Sequence, residues 1–250
     1  MSTVALVSAV GLTAGCGDSA DPVDGERKPG QATSTAAGKA TAHSAPLTAA
    51  KLKAALLTAD QAVGFEITGS SSRDGAEMDS SFDVKETVAP EVCRHVKEPT
   101  RGDGEEAAAA SSTMYRAGTS MAPRSTNLMS YPEGAARARM EQLRKAVGAC
   151  GRFSFSNTIG KASVTTEVLD VPDLGENALR FRTLSRLDNG GFVWSLVTAV
   201  RVGGVIATMD VLETTGPMPP GMLATFEPDP GPDEAVVATL IENVTEVHST

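Results

Sequence analysis

Hydrophobic and polar positions change their spacing several times along the chain, and each change marks an expected element. Val4 to Leu12 is a continuous apolar run. At about nine residues it is too short to cross a bilayer as a helix. Gly17 to Ala45 has no apolar period and is dense in Gly, Ser, Thr, Asp, Pro and Ala. Such a stretch cannot bury enough surface to offset its ordering entropy, so it is expected to be a disordered tether. A folded region opens near Leu47. Thr48 is placed to cap a helix carrying Leu52, Leu56 and Leu57, and Thr58 with Gln61 three residues on has the form of a second capping box. Gly64 ends it. Phe65-Glu66-Ile67-Thr68 alternates as a strand does. Ser70 to Ser81 is polar and is predicted to be a loop, and Pro90 to Cys93 a short helical turn.

Thr113 to Ala117 and Asn127 to Tyr131 are predicted strands. From Glu133 to Val147 the apolar positions Ala136, Met140, Leu143 and Val147 fall on one stripe of a helix. Arg137, Arg139, Arg144 and Lys145 lie off that stripe and are expected on a solvated face. Gly148 is read as the stop. Four further strands follow at Val164–Leu169, Ala178–Leu184, Phe192–Val202 and Val205–Leu212, each rich in Val, Leu, Ile, Thr and aromatics. Asp188-Asn189-Gly190-Gly191 and Gly203-Gly204 are hairpin signals, so the last three strands are expected to form an antiparallel meander. Met218–Gly221 and Pro228–Pro232 bracket a Pro-rich loop. Asp233 to Val247 reads as an amphipathic helix, with Val236, Val237, Leu240, Ile241, Val244 and Val247 on one side and two acidic residues in the first turn, where the helix dipole favours them.

Composition narrows this picture. A chain of 250 residues with 41% hydrophobic residues can bury a core as one domain or at most two. Aromatics are only 4%, so the core must be largely aliphatic. A net charge of −9 and a pI near 4.9 repel nucleic acid and anionic headgroups alike, which excludes nucleic acid as a partner and a basic patch as the means of membrane attachment.

The apolar run closes on Leu12-Thr13-Ala14-Gly15-Cys16, small residues before a cysteine, which is what a lipoprotein signal peptidase cuts. Residues 1–15 are therefore expected to be a signal peptide, Cys16 the lipidated first residue of the mature chain, 16–46 the tether and 47–250 the folded domain. The protein would then sit on the extracytoplasmic face of the cell membrane, held by its lipid. Met1-Ser2-Thr3 lacks the usual basic start of a signal, and Thr13 stands where such motifs favour Leu. About thirty flexible residues would span roughly 30 Å. With Cys16 assigned, Cys93 and Cys150 remain as an even pair in a compartment where disulfides persist, and a Cys93–Cys150 bridge is expected.

Catalytic patterns are not found. The chain has no phosphate loop, no His-Glu-x-x-His and no Gly-x-Ser-x-Gly. His95 is the one base expected inside the domain, two residues after Cys93. The acidic group Glu227, Asp229, Asp233 and Glu234 lacks the alternation of a calcium loop and reads as solvated. Arg101-Gly102-Asp103 reads as a chance match in a charged loop. No catalytic residue, metal or cofactor is expected, and the chain is not expected to be an enzyme. Trp194 and Tyr115, aromatics on predicted strands, are the candidates to line a ligand cleft.

Leu56-Leu57-Thr58-Ala59-Asp60 followed by Gly64, then Pro90-Glu91-Val92-Cys93, a strand ending at Tyr131 and a helix running to Ala149-Cys150 resemble the PknH-like extracellular sensor domain of actinobacteria. Trp194, the hairpin Arg201-Val202-Gly203-Gly204-Val205-Ile206 and the last helix fit the same plan. The resemblance implies an α+β fold, a twisted antiparallel sheet of about six strands with flanking helices, and a cleft for an extracellular ligand. Some members carry a second disulfide, which the cysteine count does not allow here. Two readings follow: a non-catalytic ligand-binding or sensor-type domain, or an interaction module of the envelope without a small-molecule pocket. The ligand or envelope protein it meets is left open.

Overall fold

In the computed structural model of the chain, the described residues are 45–75, 86–99, 106–118, 122–132, 134–158, 160–171, 174, 177–223, 225 and 233–249. They fall in the unit Ala42–Thr250. Cys16, the expected signal and most of the tether lie outside them, as do Arg101-Gly102-Asp103, Glu227 and Asp229.

Thr48 caps α1 (Ala49–Ala55), its hydroxyl accepting from Lys51 N at 3.3 Å. The Thr58–Gln61 motif also forms, with Thr58 N donating to Gln61 Oε1 at 3.1 Å, but only a turn follows it. Strand β1 (Phe65–Asp74) runs on through Ser70-Ser71-Ser72, where the sequence predicts a loop. Strand β2 (Thr87–Ala89) precedes a 3-10 turn at Glu91–Cys93 and α2 (Arg94–Lys97). Strands β3 (Ala108–Arg116) and β4 (Arg124–Ser130) lead to α3 (Ala135–Ala149), which carries Gly148 inside its last turn. Then come β5 (Arg152–Ser156), β6 (Lys161–Leu169), β7 (Asn177–Leu187), β8 (Phe192–Val202) and β9 (Val205–Thr215). A short α4 (Pro220–Leu223) stands in the expected Pro-rich loop, and α5 (Glu234–Ser249) ends the domain.

Among the described residues these strands make one nine-stranded sheet, in the order β1-β3-β4-β9-β8-β7-β6-β5-β2. Every neighbouring pair is antiparallel. The expectation of about six strands is therefore corrected to nine. The shortfall lies partly at β2 and β5, which pair with each other at one end of the sheet and are too short for their alternation to stand out. The β7-β8-β9 meander forms as expected. Gly190 (φ 84°) and Gly203 (φ 56°) hold its two turns in the left-handed region that glycine enters without strain.

The sheet is covered on both faces. On one face α1 and α5 pack over Ala108, Ala110, Met114, Leu128, Val200, Val205, Ala207 and Met209. On the other, α3 lays its stripe of Ala136, Met140, Leu143 and Val147 over Ala109, Met129, Phe153, Val164, Phe181, Val197, Ala199 and Ile206. Alternate residues of one strand thus serve two cores. Full burial of each larger aliphatic or Phe side chain contributes about 1.5–3 kcal/mol. Cys93 and Cys150 form the expected disulfide, which joins the end of α3 to the 3-10 turn before α2 (Cα–Cα 5.7 Å).

Two arginines anchor the start of α5. Arg124 of β4, 2% exposed, donates from Nε to Asp233 Oδ2 at 2.9 Å, and Arg180 of β7 from Nη1 to Glu234 Oε1 at 3.2 Å. Asp233, expected in solvent, is largely buried by this contact, whereas Glu234 stays exposed while it pairs. Arg139 is likewise buried, against the expectation of a solvated face, because α2 packs beside that side of α3.

Candidate ligand site

Strand register decides which side chains can meet on the α1/α5 face. Cα pairing aligns Thr165, Leu184, Trp194 and Glu213 in one row across β6, β7, β8 and β9. The next row holds Glu167, Arg182 and Leu196. The apolar cluster beneath α5 reaches Val200 and Met209 but not these rows. There the sheet carries a hollow of about 250 Å³ lined by Thr165, Thr166, Glu167, Arg182, Leu184 and Trp194.

The hollow has two chemistries. Trp194, half-buried, and Leu184 give it an apolar part. The other part is a cross-strand ion pair between directly opposed residues. Arg182 places Nη2 2.7 Å and Nε 2.8 Å from the same oxygen, Glu167 Oε2. Its side chains are 42% and 57% exposed, so the pair is open to solvent and adds at most about 1 kcal/mol to stability. Among the lining residues one positive and one negative group leave no net charge.

The other residues singled out in the sequence lie elsewhere. Tyr115 belongs to β3 and projects from the α3 face, whereas Trp194 lies on the α1/α5 face with β9 and β4 between their strands. The structure does not bring them into one cleft. His95 is on α2, where its Nδ1 contacts the guanidinium of Arg139, whose Nη2 also donates to Glu98 O. An arginine has only donors to offer, so Nδ1 acts there as an acceptor. Cys93 is tied up in the disulfide. Among the described residues no group of three or more His, Cys, Asp or Glu is placed to hold a metal ion.

Sequence reasoning singled out Trp194 but missed Glu167 and Arg182. Their pairing was available in principle, since Glu167 and Arg182 lie on strands joined in sequence. It required the β6–β7 register, which the connection between them does not dictate.

A second polar locus lies on the α3 face. Asp210 of β9 accepts from Asn127 Nδ2 at 3.3 Å through Oδ2, while its Oδ1 is buried with no hydrogen-bond partner. Burial pushes this carboxyl up to about 7. Asp210 as a residue keeps some exposed surface, but its carboxyl oxygen Oδ1 does not.

No known protein family and no curated protein matches the sequence. Solved structures do. The crystal structure of the extracellular domain of PknH from Mycobacterium tuberculosis superposes with a TM-score of 0.53 at 13% identity, covering 82% of this chain and 99% of that one. The structure of an Rv0999 ortholog from Mycobacterium smegmatis gives a TM-score of 0.43 at 13% identity, over 79% of this chain and 96% of that one. At such identity the first likeness speaks for fold, and the described domain shares the fold of the PknH extracellular domain.

Proposed function

We propose that the chain is an extracytoplasmic lipoprotein whose domain binds a ligand in the hollow beside Trp194 without turning it over. The observation that carries the reading is the hollow itself, where an aromatic and a leucine meet a neutral pair of charges outside the core. Concave sites with a few convergent polar groups on an apolar base are the usual form of small-ligand sites. The shared fold with an extracellular domain supports the location. No helix among the described residues is long and apolar enough to cross a membrane. The alternative of an envelope interaction module draws less support. Leu212 and Val168, exposed on the α3 face, stand on β9 and β6 with two strands between them, and single exposed apolar residues are ordinary.

Two measurements test this. Cells fed an alkyne-tagged fatty acid should label the chain, and Cys16→Ala should abolish the label. Persistent labelling in that variant contradicts the anchor. Small molecules extracted from the envelope of the producing cells should raise the melting temperature of the purified chain, because a ligand that binds only the folded state stabilises it by mass action. Trp194→Ala should remove that rise. An equal rise in a folded Trp194→Ala chain places the site elsewhere.

A further inference from the structure

We infer that the hollow accepts a single uncharged sugar ring, a pyranose with neighbouring hydroxyls. This rests on the hollow being a ligand site, and it names the chemistry that site would select. Size comes first. A volume of about 250 Å³ is below the roughly 300–1,000 Å³ of sites for drug-sized ligands, so it suits one ring. Charge comes second. Arg182 and Glu167 neutralise each other, and an ionised ligand would have to break their pair or bring in a charge that nothing in the lining meets. The lining is also divided into an apolar part and a polar part. An apolar chain would cover the ion pair and strip its water without replacing it. A pyranose has an apolar C–H face to lay on the indole and an edge of hydroxyls, each both donor and acceptor.

The ion pair is arranged to use that edge. Both guanidinium contacts go to Glu167 Oε2, so neither uses Glu167 Oε1 or Arg182 Nη1. Nη1 thus keeps its donors and Oε1 its acceptor capacity, the two functions that ring hydroxyls meet by accepting from one and donating to the other. Thr165, exposed at the edge, supplies a further hydroxyl. A nucleotide base would also stack on tryptophan, but its phosphates would approach a chain of net charge −9. With Thr165, Glu167 and Arg182 open to solvent, the ring can be a free sugar or one unit of a longer glycan.

Trp194 is the single tryptophan of the chain, so indole emission reports this site alone. The full-length chain is titrated with the methyl pyranosides of glucose, galactose and mannose, with N-acetylglucosamine, with glucuronate and with benzyl alcohol. At least one neutral pyranoside should change the emission saturably and bind more tightly than glucuronate. Replacing the pair together, Glu167→Met with Arg182→Met, should weaken that binding at least about tenfold while leaving the fold intact, since no unpaired charge is left behind. Comparing the responding glycoside with its linear oligomer separates the sources: tighter binding of the oligomer indicates a wall glycan, equal binding a free sugar. A pyranoside response that survives the double replacement overturns the proposed recognition. A response to benzyl alcohol alone overturns the sugar and keeps the site. Silence from every probe overturns both.

Discussion

At the scale of single residues, buried polar groups carry the clearest consequences. Asp210 has its carboxyl raised to about 7 by burial, above its ordinary value. Between those two values the folded state holds a proton that the unfolded state has released. Stability therefore falls as pH rises through that window, and the cost is fully present above it. Asp210→Asn keeps an acceptor for Asn127 Nδ2 and removes the charge. The variant should melt higher than the parent by several degrees at about pH 8, and that gain should shrink towards zero near pH 4. Melting curves of both proteins at the two pH values check this; a gain that is the same at both removes the burial of a charge as its cause. Residues of this kind were poorly legible in the sequence. Arg124, Arg139 and Arg180 look like surface residues by type. Each is buried because a helix packs over its strand or beside its turn, and no local pattern announces that contact.

At the scale of elements, the disulfide does what the sequence assigned to it. Its two cysteines are 57 residues apart, and closing a loop of that length in the unfolded chain is worth about 4 kcal/mol in the chain-entropy account. Replacing Cys93 and Cys150 together by Ala should lower unfolding stability by roughly that amount, read from denaturant midpoints. A loss under about 1 kcal/mol would mean that α2 and α3 hold their places without the staple. Long elements with a strong period were legible: α3 from its buried stripe, α5 from its valines and leucines, and the β7-β8-β9 meander from its glycine turns. The ends of the sheet were not. The Ser- and Gly-rich part of β1 carries no alternation, and it is a strand because its backbone pairs with β3 from Gly69 to Asp74. The register shift between Ile67 and Gly69 in that pairing is likewise invisible before β3 is in place.

At the scale of the whole molecule, the sheet divides labour between its faces. Helices α1 and α5 cover part of one face, α3 crosses the other, and the rows holding Trp194 and Arg182 lie beyond the apolar cluster under α5. The sequence pointed to Trp194 because it is the one tryptophan and falls on a predicted strand, and the hollow is lined by it. Pairing it with Tyr115 failed on register, since residues on different strands share a face only when the ladder between them is known. The central claim is that a ligand meets the domain beside Trp194. Its most direct test is an amide and indole spectrum of the isotope-labelled chain, recorded before and after adding envelope extract from the producing cells. The account predicts that the single indole resonance shifts together with amides at Thr165–Glu167 and Arg182–Leu184, while those of α3 stay in place. Shifts confined to the α3 face, or a spectrum unchanged at Trp194, would contradict it.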